Sequence, residues 1–320
     1  MIKYSLHVLL GFTALTLTAC ETTPIQTSEA SMAEKEIVMN EPAPLMSWPD
    51  LTNRRKEAPT ETVRIGDGET EIVDVWLPEG PGPHPVVLMV HGGCWQKSIA
   101  DRTLMNYAAE AMRNEGLAVW NIEYRGVDEE GGGYPGTFYD VAKAADALRE
   151  YGEEFNLDLS RVAGFGHSAG GHLVTWLAGR KNLPATSVLA GGDPLQMLGV
   201  VNSGGLADLE ASEPLTLKSC LAEIKGELIG EASDARPDPV SDTSSDRLLP
   251  TGTVIYSVNG ERDRIAPPAL GDDFTAKAKQ AGDKARVIVI PNEGHVELIA
   301  PGSDAFEKQV SLLKKILGED

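Results

Sequence analysis

"RVAGFGHSAGGHLVTWLAGR", residues 161–180, decides the fold of this chain. It leads from an apolar, strand-like run through the pentapeptide GHSAG, residues 166–170, into an apolar segment with helical periodicity. Gly-x-Ser-x-Gly between a strand and a helix is the pattern of a nucleophile elbow, a turn so tight that its flanking positions must lack bulky side chains. Such a turn lifts the Ser168 hydroxyl clear of the sheet edge. Because the pentapeptide alone also occurs by chance, the interpretation depends on the elements around it.

Apolar runs with turn signals at both ends alternate with helical patterns from residue 61 onward. The predicted strands are residues 71–77, 84–90, 117–124, 161–166, 198–204, 252–258 and 285–290. The predicted helices are residues 101–116, 139–155, 169–180, 272–282 and 304–317. Several strands are continuous hydrophobic stretches, which is typical of parallel strands that are covered on both faces. The alternation predicts an α/β domain with a mostly parallel sheet and helices on both faces.

Length and composition favour one large domain. The chain has 320 residues, 42% of them hydrophobic, and no segment repeats at a fixed period, so a single core with appendages is expected. The 28 Lys and Arg residues against 48 Asp and Glu residues give a formal net charge of -20. Since such a surface repels phosphate backbones, nucleic acid is excluded as a partner.

The first twenty residues, MIKYSLHVLLGFTALTLTAC, are typical of a secretory signal. They combine one positive charge, Lys3, with an apolar stretch that is too short to span a bilayer comfortably and with small residues before a cysteine. Residues 17–20, Leu-Thr-Ala-Cys, resemble the lipobox of bacterial lipoproteins. This resemblance implies removal of residues 1–19 as a signal peptide and attachment of diacylglycerol to the sulfur of Cys20.

Residues 20–58 are predicted to be a flexible, lipid-anchored tether. From Glu21 to about Pro59 the sequence is rich in Thr, Ser, Glu and Pro and has little periodic hydrophobicity, as in disordered linkers. A helix over residues 31–39 that docks on the domain is the alternative. Because position 21 is Glu and not Asp, resemblance to the sorting rule of enteric bacteria implies the periplasmic face of the outer membrane. The expected location is the bacterial cell envelope, with the membrane as a partner through the lipidated Cys20.

Two cysteines remain beyond Cys20, at Cys94 and Cys220. One pair does not make a disulfide framework, and whether these two are bonded to each other stays open at this stage. The chain contains no Cys-x-x-Cys or His-Glu-x-x-His spacing that would suggest a metal site. We therefore expect neither a metal nor a cofactor.

His295 is the one histidine downstream of the elbow, because His172 belongs to the helical pattern of the elbow itself. It is therefore the candidate base for Ser168. In folds with this elbow an acid and then a histidine follow the nucleophile along the chain. A serine needs the base because its hydroxyl is a weak nucleophile. Asp263, on the loop after a predicted strand, is the expected acid that orients the imidazole. Glu261 on the same loop is the alternative.

Backbone amides on two loops are expected to bind the oxyanion of a tetrahedral intermediate. One is the N–H of Ala169, the residue after the candidate nucleophile. A second donor should come from the loop that follows the strand at residues 84–90, where residues 91–95 read His-Gly-Gly-Cys-Trp. Two glycines there let amides turn inward without a side chain filling the hole.

Six motifs, in order along the chain, resemble the α/β-hydrolase superfamily, and within it the esterase and kynurenine-formamidase-like branch. They are HGGCWQKS (91–98), NIEYRG (121–126), YPGTFYDVAKAADAL (134–148), GHSAGGHLVTWLAGR (166–180), VNGERDRIAPP (258–268) and NEGHVELIAP (292–301). The resemblance covers about residues 61–318 and implies an α/β-hydrolase fold for a catalytic domain over residues 59–320.

The same resemblance implies a role for each site residue. Ser168 would be the nucleophile, Asp263 the acid and His295 the base. The oxyanion hole would consist of the backbone amides of Gly93, Cys94 and Ala169. Formamidases of this kind commonly carry Tyr at the position of Cys94, so this departure argues against formamide specificity while it leaves the backbone donor intact.

Three further residues and one long connection are expected to surround the candidate site. Trp95 belongs either to the substrate pocket or to the core, and His167 either orients the elbow or lines the pocket. His172 is expected to support the elbow. Residues 206–249, with one amphipathic helix and a polar, Pro-bearing stretch, form a connection longer than ordinary. They are predicted to be either a small cap or lid over the site, or a cover for the sheet.

The sequence thus predicts a cofactor-free serine hydrolase that cleaves a small-molecule carboxylic ester through an acyl-enzyme. An arylformamidase that uses the same triad on an N-formyl group is the alternative, although its usual substrate would arise in the cytoplasm and not in the envelope. A third hypothesis is a non-catalytic surface lipoprotein that uses the fold for binding, which the presence of every triad residue disfavours. The oligomeric state stays open.

Overall fold

The computed structural model of the chain describes residues 43–319. The predicted signal peptide, the lipidation site Cys20 and the alternative helix over residues 31–39 lie outside the described residues, as does the tether up to residue 42. None of the helices between residues 43 and 319 has the length and apolar composition needed to cross a membrane.

Eight strands and eight α-helices occur in the described part of the chain. The strands are β1 (Glu61–Arg64), β2 (Ile72–Trp76), β3 (His84–Val90), β4 (Ala118–Ile122), β5 (Leu157–His167), β6 (Gly199–Ser203), β7 (Val254–Gly260) and β8 (Lys284–Ile290). The helices are α1 (Trp48–Thr52), α2 (Asn106–Asn114), α3 (Gly136–Tyr151), α4 (Ala169–Gly179), α5 (Leu209–Ser212), α6 (Lys225–Ile229), α7 (Pro268–Ala281) and α8 (Asp304–Leu317). Short 3-10 helices cover Arg102–Met105, Arg180–Asn182, Lys218–Cys220, Pro239–Ser241, Ser245–Leu248 and Glu297–Ile299.

All eight strands form one sheet, in the order β1-β2-β4-β3-β5-β6-β7-β8. β1 and β4 pair with β2 in antiparallel fashion, and every other pairing in the sheet is parallel. Each of the seven predicted strands overlaps an observed one, so the predicted α/β architecture with a mostly parallel sheet is confirmed. The sequence pattern missed β1, because three of its four residues are exposed and it carries no apolar run.

Alternate residues of β3 point into two hydrophobic cores, one on each face of the sheet. Val86, Leu88 and Val90 belong to the core that includes side chains of α3 and α4, whereas Val87 and Met89 belong to the core that includes α2 and α8. All five side chains are fully buried. The continuous apolar run in the sequence therefore reflects a strand that helices cover on both faces.

The carboxyl ends of the parallel strands meet at one edge of the sheet. β5, β7 and β8 are parallel neighbours or near neighbours, with β6 between β5 and β7. The turns and loops that follow these three strands carry Ser168, Asp263 and His295. Ligands of open α/β sheets bind at this edge, so the topology alone brings the three candidate residues to the same region.

The end of the predicted tether is part of the domain. Residues 48–52 form α1, and the side chain of Leu51 has no exposed surface. The N–H of Met46 donates to the Glu297 carboxylate over 2.6 Å, and the guanidinium of Arg54 donates to the Pro301 carbonyl over 2.9 Å. The prediction of a flexible tether up to residue 58 is therefore wrong for residues 43–58, because a helix of five residues is too short for its periodicity to be read.

Residues 206–249 carry two short α-helices and three 3-10 helices instead of the single amphipathic helix that was predicted. α5 has four residues and α6 has five, and Gly230, with a φ of 70°, ends the second. Pro214 follows α5 closely and cannot donate a backbone hydrogen bond. Leu217 and Ser219 of this segment line the candidate site, and near its end the carbonyl of Thr243 accepts a hydrogen bond from His172 on α4.

Candidate active site

Ser168 occupies a sharp turn between β5 and α4. Its φ of 56° and ψ of -121° lie in a region that residues with side chains rarely adopt. A Cβ on Gly166 would lie 2.1 Å from the carbonyl oxygen of Gly170, and a Cβ on Gly170 would lie 2.1 Å from that of Val90. Only glycine fits at these two positions, so the flanking glycines allow the turn to form and α4 to approach β3.

His295 and Asp263 form a buried pair on the loops that follow β8 and β7. The Nδ1 atom of His295 lies 2.6 Å from Oδ2 of Asp263. The other carboxylate oxygen, Oδ1, accepts hydrogen bonds from the backbone N–H groups of Ile265 (2.8 Å) and Ala266 (2.9 Å). These bonds fix the carboxylate and place the imidazole proton on Nδ1, which leaves the lone pair of Nε2 free to act as a base.

Glu261, the alternative acid, lies elsewhere on the same loop. Its carboxylate accepts a hydrogen bond from the backbone N–H of Asn292 over 2.8 Å and, within residues 43–319, makes no hydrogen bond or ion pair with His295. The structure therefore pairs His295 with Asp263.

Ser168 and His295 line the same cavity. In the part of the chain that the structure describes, the Ser168 hydroxyl makes no hydrogen bond to the His295 ring. Hydrogen bonds between a nucleophile and its base are often long in the absence of substrate and shorten when substrate binds. The arrangement brings the two side chains to one chamber without joining them directly.

His167 packs against His295 and holds its loop. Nε2 of His167 donates to the main-chain oxygen of His295 over 3.1 Å, and the two rings lie 4.4 Å apart between centroids. Burial, together with the neighbouring His295, holds the pKa of His167 well below its usual value. The ring is therefore neutral. His167 also lines the cavity, so it both orients the loop and borders the site.

The loop after β3 has an unusual backbone. Gly93, Cys94 and Trp95 have φ values of 113°, 53° and 55°, all in the left-handed region. A Cβ on Gly93 would lie 2.8 Å from the Ala100 side chain. Among residues 43–319, no backbone acceptor binds the N–H of Cys94 or of Ala169. Ala169 follows Ser168 directly in the chain, and Cys94 lines the same cavity as Ser168.

A disulfide joins this loop to the segment 206–249. Cys94 is bonded to Cys220, with their Cα atoms 4.7 Å apart and 126 positions apart in sequence. Leu217 and Ser219, next to Cys220 in the chain, line the cavity. The bond therefore ties the wall of the cavity to the loop that carries candidate oxyanion donors. Whether these two cysteines are bonded to each other was an open question at the level of sequence.

Trp95 lies in the core and not in the pocket. Its side chain has no exposed surface, and its Nε1 donates to Nδ1 of His172 over 3.2 Å. Nε2 of His172 in turn donates to the Thr243 carbonyl over 2.7 Å. Burial lowers the pKa of His172 to about 4, so this ring is neutral and supports the elbow as expected. Of the two alternatives for Trp95, pocket or core, the structure shows the core, and Trp95 is not among the described residues that line the cavity.

His91 and Glu123 form a buried pair that joins the start of the same loop to the end of β4. Nε2 of His91 lies 2.8 Å from the Glu123 carboxylate, and Nδ1 lies 2.7 Å from the carbonyl oxygen of Gly92. Both ring nitrogens of His91 thus face oxygen acceptors. Burial would raise the pKa of Glu123, but the charges and hydrogen bonds of His91 and Lys97 outweigh it and hold that pKa far below its usual value.

The cavity at Ser168 has a volume of about 320 Å³, which is within the range of small-ligand sites. Its lining comes from four parts of the chain: the candidate catalytic loops, the loop after β3, the segment 206–249 and the N-terminal segment. The lining residues are Trp48, Thr52, Gly93, Cys94, Ile99, Ala100, Leu104, His167, Ser168, Leu217, Ser219, Ile265 and His295.

Trp48 and Thr52 are site residues that sequence reasoning missed. Both belong to α1, inside the segment predicted to be a tether. The one signal that could have found them is the cluster of apolar residues at positions 45, 46, 48 and 51 within an otherwise polar stretch. Because the segment is short and rich in proline, this cluster does not distinguish a docked helix from a linker.

A second cavity, of about 350 Å³, lies where Arg125 meets Asp140. Arg125 binds Asp140 through two nitrogens, at 2.8 Å each, and the remaining ionisable residues that line the cavity are glutamates. The one hydroxyl side chain among the described lining residues, that of Thr70, donates to the Asp140 carboxylate over 3.1 Å, and Arg125 binds the same carboxylate. Within residues 43–319, no cluster of His, Cys, Asp and Glu side chains could hold a metal ion.

Comparisons with known proteins support this architecture. The BD-FAE family model matches residues 73–277. The truncated form of a carbohydrate esterase from gut microbiota is 21% identical, with a TM-score of 0.67 over 82% of this chain and 100% of that one. Esterase B from Lactobacillus rhamnosis is 15% identical, with a TM-score of 0.68 over 82% of this chain and 87% of that one.

A third similar structure is esterase 2 from the planctomycete Thermogutta terrifontis. It is 16% identical, with a TM-score of 0.62 over 81% of this chain and 91% of that one. No curated protein matches the chain by sequence. At these identities the likeness shows the fold, and the predicted α/β-hydrolase fold is confirmed.

Proposed function

Because the chain belongs to the BD-FAE family, we propose that it is a serine hydrolase that cleaves carboxylic esters. The observation that carries the proposal is the His295–Asp263 pair, joined over 2.6 Å, with His295 lining the same cavity as Ser168 on its strained turn. The similar structures, which are esterases by name, support the same class of reaction.

In the first half of the reaction, Ser168 Oγ attacks the ester carbonyl while Nε2 of His295 takes the hydroxyl proton. The carbonyl π bond becomes a lone pair on the oxyanion. Asp263 holds the imidazole in the tautomer that has its proton on Nδ1 and stabilises the imidazolium that forms. The amides of Gly93, Cys94 and Ala169 are the proposed oxyanion donors, and stabilisation of this kind is usually the largest single contribution in such reactions.

In the second half, the intermediate collapses and the carbon–oxygen bond to the alcohol breaks. The alcohol leaves with the proton from Nε2 of His295, and the acyl group stays on Ser168 as an ester. Water then attacks the acyl carbon while Nε2 of His295 takes its proton, the bond from that carbon to Ser168 Oγ breaks, and His295 returns the proton to Oγ as the carboxylic acid is released. His167, held neutral by burial, adds no positive charge that would oppose the imidazolium of His295.

A fluorophosphonate probe tests the nucleophile. We expect the wild-type chain to be labelled at Ser168 and to hydrolyse p-nitrophenyl acetate, and Ser168→Ala to lose both properties while it keeps its melting temperature. A folded wild-type protein that takes up no label would end the enzyme hypothesis in favour of a binding lipoprotein. Faster turnover of N-formylkynurenine than of short p-nitrophenyl esters would favour the arylformamidase instead.

We also propose that the protein is lipid-anchored in the bacterial cell envelope through Cys20. The lipobox-like residues 17–20 support the anchor, and Glu21 supports the periplasmic face of the outer membrane. The Cys94–Cys220 disulfide is consistent with an oxidising compartment. Metabolic labelling with a radioactive fatty acid tests the anchor: label should appear in the wild type and be absent from Cys20→Ser.

A further inference from the structure

The segment 43–54, called the strap here, is fastened to the loops that carry Asp263 and His295. Arg262, which precedes Asp263, donates from its guanidinium to the carbonyl of Ala43 over 2.7 Å. Glu297, two residues after His295, accepts from the N–H of Met46 over 2.6 Å. The beginning of the strap is therefore tied to both loops of the His295–Asp263 pair.

The end of the strap is fixed in the core. Leu51 has no exposed surface and belongs to the same hydrophobic core as one face of β3. The hydroxyl of Tyr107 donates to the carbonyl of Thr52 over 3.0 Å, and Arg54 donates to the Pro301 carbonyl over 2.9 Å. With both ends anchored, α1 is held across the site.

Trp48, at the start of α1 in the strap, lines the cavity. Its ring centroid lies 6.3 Å from that of His295 and 6.3 Å from that of His167, and both contacts are edge-to-face. At the same time 38% of the side chain is exposed to solvent. A large aromatic ring that borders the base and remains partly open is available to contact a substrate.

Most of the cavity wall away from Ser168, His167 and His295 is apolar. Ile99, Leu104, Leu217 and Ile265 line it with Trp48, and no Asp, Glu, Lys or Arg side chain between residues 43 and 319 does so. Ile99 and Leu217 are themselves 56% and 49% exposed, so apolar surface continues to the mouth of the cavity. An ionic group on the substrate would lose its hydration there without gaining a partner.

We propose that the strap is a structural part of the active site, and that Trp48 is a specificity-determining residue that binds the uncharged, apolar part of the ester. This inference rests on the proposed esterase function. The contact between Trp48 and an apolar group exists in the bound substrate as well as in the transition state. Its loss should therefore raise KM more than it lowers kcat.

The test compares full-length wild type, Trp48→Ala, Trp48→Phe and Tyr139→Ala. Tyr139 is a matched control, since it is an aromatic residue that is 44% exposed and does not line the cavity. With p-nitrophenyl butyrate, we expect Trp48→Ala to raise KM about tenfold and to change kcat less than about threefold, which corresponds to a loss of about 1.4 kcal/mol in binding. Trp48→Phe should recover most of the affinity, and Tyr139→Ala should behave as wild type.

A second substrate tests the chemical class. The p-nitrophenyl monoester of succinic acid has the same acyl length as the butyrate but ends in a carboxylate, and we expect its kcat/KM with wild type to be at least about tenfold lower. The inference is overturned if KM of Trp48→Ala equals that of Tyr139→Ala, if only kcat falls, or if wild type accepts the charged ester equally well. Wild-type turnover of p-nitrophenyl acetate, lost in Ser168→Ala, establishes the proposed function independently of these outcomes.

Discussion

His167 donates a hydrogen bond from Nε2 to the main-chain oxygen of His295 over 3.1 Å. The residue directly before the proposed nucleophile thus holds the loop of the proposed base, across 128 positions of sequence. Because burial keeps the pKa of His167 low, the ring does not compete with His295 for the proton. The bond links the end of β5, next to Ser168, to the loop that carries His295.

His167→Phe keeps the ring and removes this bond. We expect kcat to fall about 10- to 100-fold, because a small displacement of a base costs this much in rate, while KM stays within about threefold. Fluorophosphonate labelling of Ser168 should slow in proportion. His84→Phe, on a half-buried histidine at the start of β3, serves as the control. A His167→Phe variant with wild-type kcat would contradict the positioning role.

We expect the free energy of unfolding to decrease as the pH falls below about 6.5, at pH values where ordinary carboxylates are still ionised. Burial lowers the pKa of His172 to about 4 from 6.5 and holds that of His167 well below 6.5. Below pH 6.5 the unfolded chain binds protons that the folded chain does not, so stability rises with pH and is lost as the pH falls. Each such histidine contributes up to about 1.4 kcal/mol per pH unit.

Urea unfolding between about pH 6.5 and pH 5, above the range of ordinary carboxylate pKa values, measures this slope. We expect His172→Gln to be less stable than wild type at neutral pH but to show a shallower dependence on pH, by about one proton. If His172→Gln kept the wild-type slope, then His172 would be protonated in the folded protein.

The disulfide between Cys94 and Cys220 should support both stability and substrate affinity. It closes a stretch of 126 positions, and loss of such a bond typically costs about 2–4 kcal/mol. We expect Cys220→Ser to lower the free energy of unfolding by this amount and to raise KM, because Leu217 and Ser219 would no longer be held in the cavity wall. Reduced wild type should match the variant. Identical KM values with and without the bond would show that the wall holds without it.

Gly204 leaves room for the His295–Asp263 pair. A Cβ at this position would lie 3.2 Å from Nδ1 of His295, 3.3 Å from Oδ2 of Asp263 and 2.6 Å from the Leu298 side chain, at a φ of 53°. We expect Gly204→Ala to lower kcat about 100-fold by displacing the imidazole. Gly116→Ala is the control, since Gly116 also has a positive φ, 86°, but has open space around it. Equal activities in both variants would refute the steric argument.

The sheet could be predicted from sequence because its signals are local. The apolar run of β3 and the glycines around Ser168 follow from contacts that any two-sided parallel strand and any tight strand–helix turn require. The order of residues along the chain likewise led to Asp263 and His295, which the structure holds 2.6 Å apart. β1 was missed because an exposed edge strand has little apolar periodicity.

The sequence by itself determined the α/β architecture, the turn at Ser168 and the candidates for acid and base. Only the tertiary structure decided that Trp95 turns into the core, that Cys94 bonds to Cys220, and that Trp48 lies at the site. The physical reason is the range of the interactions. Periodicity and turn chemistry act over a few residues, whereas the strap is held by partners such as Glu297, 251 positions away. No local pattern encodes a contact of that range.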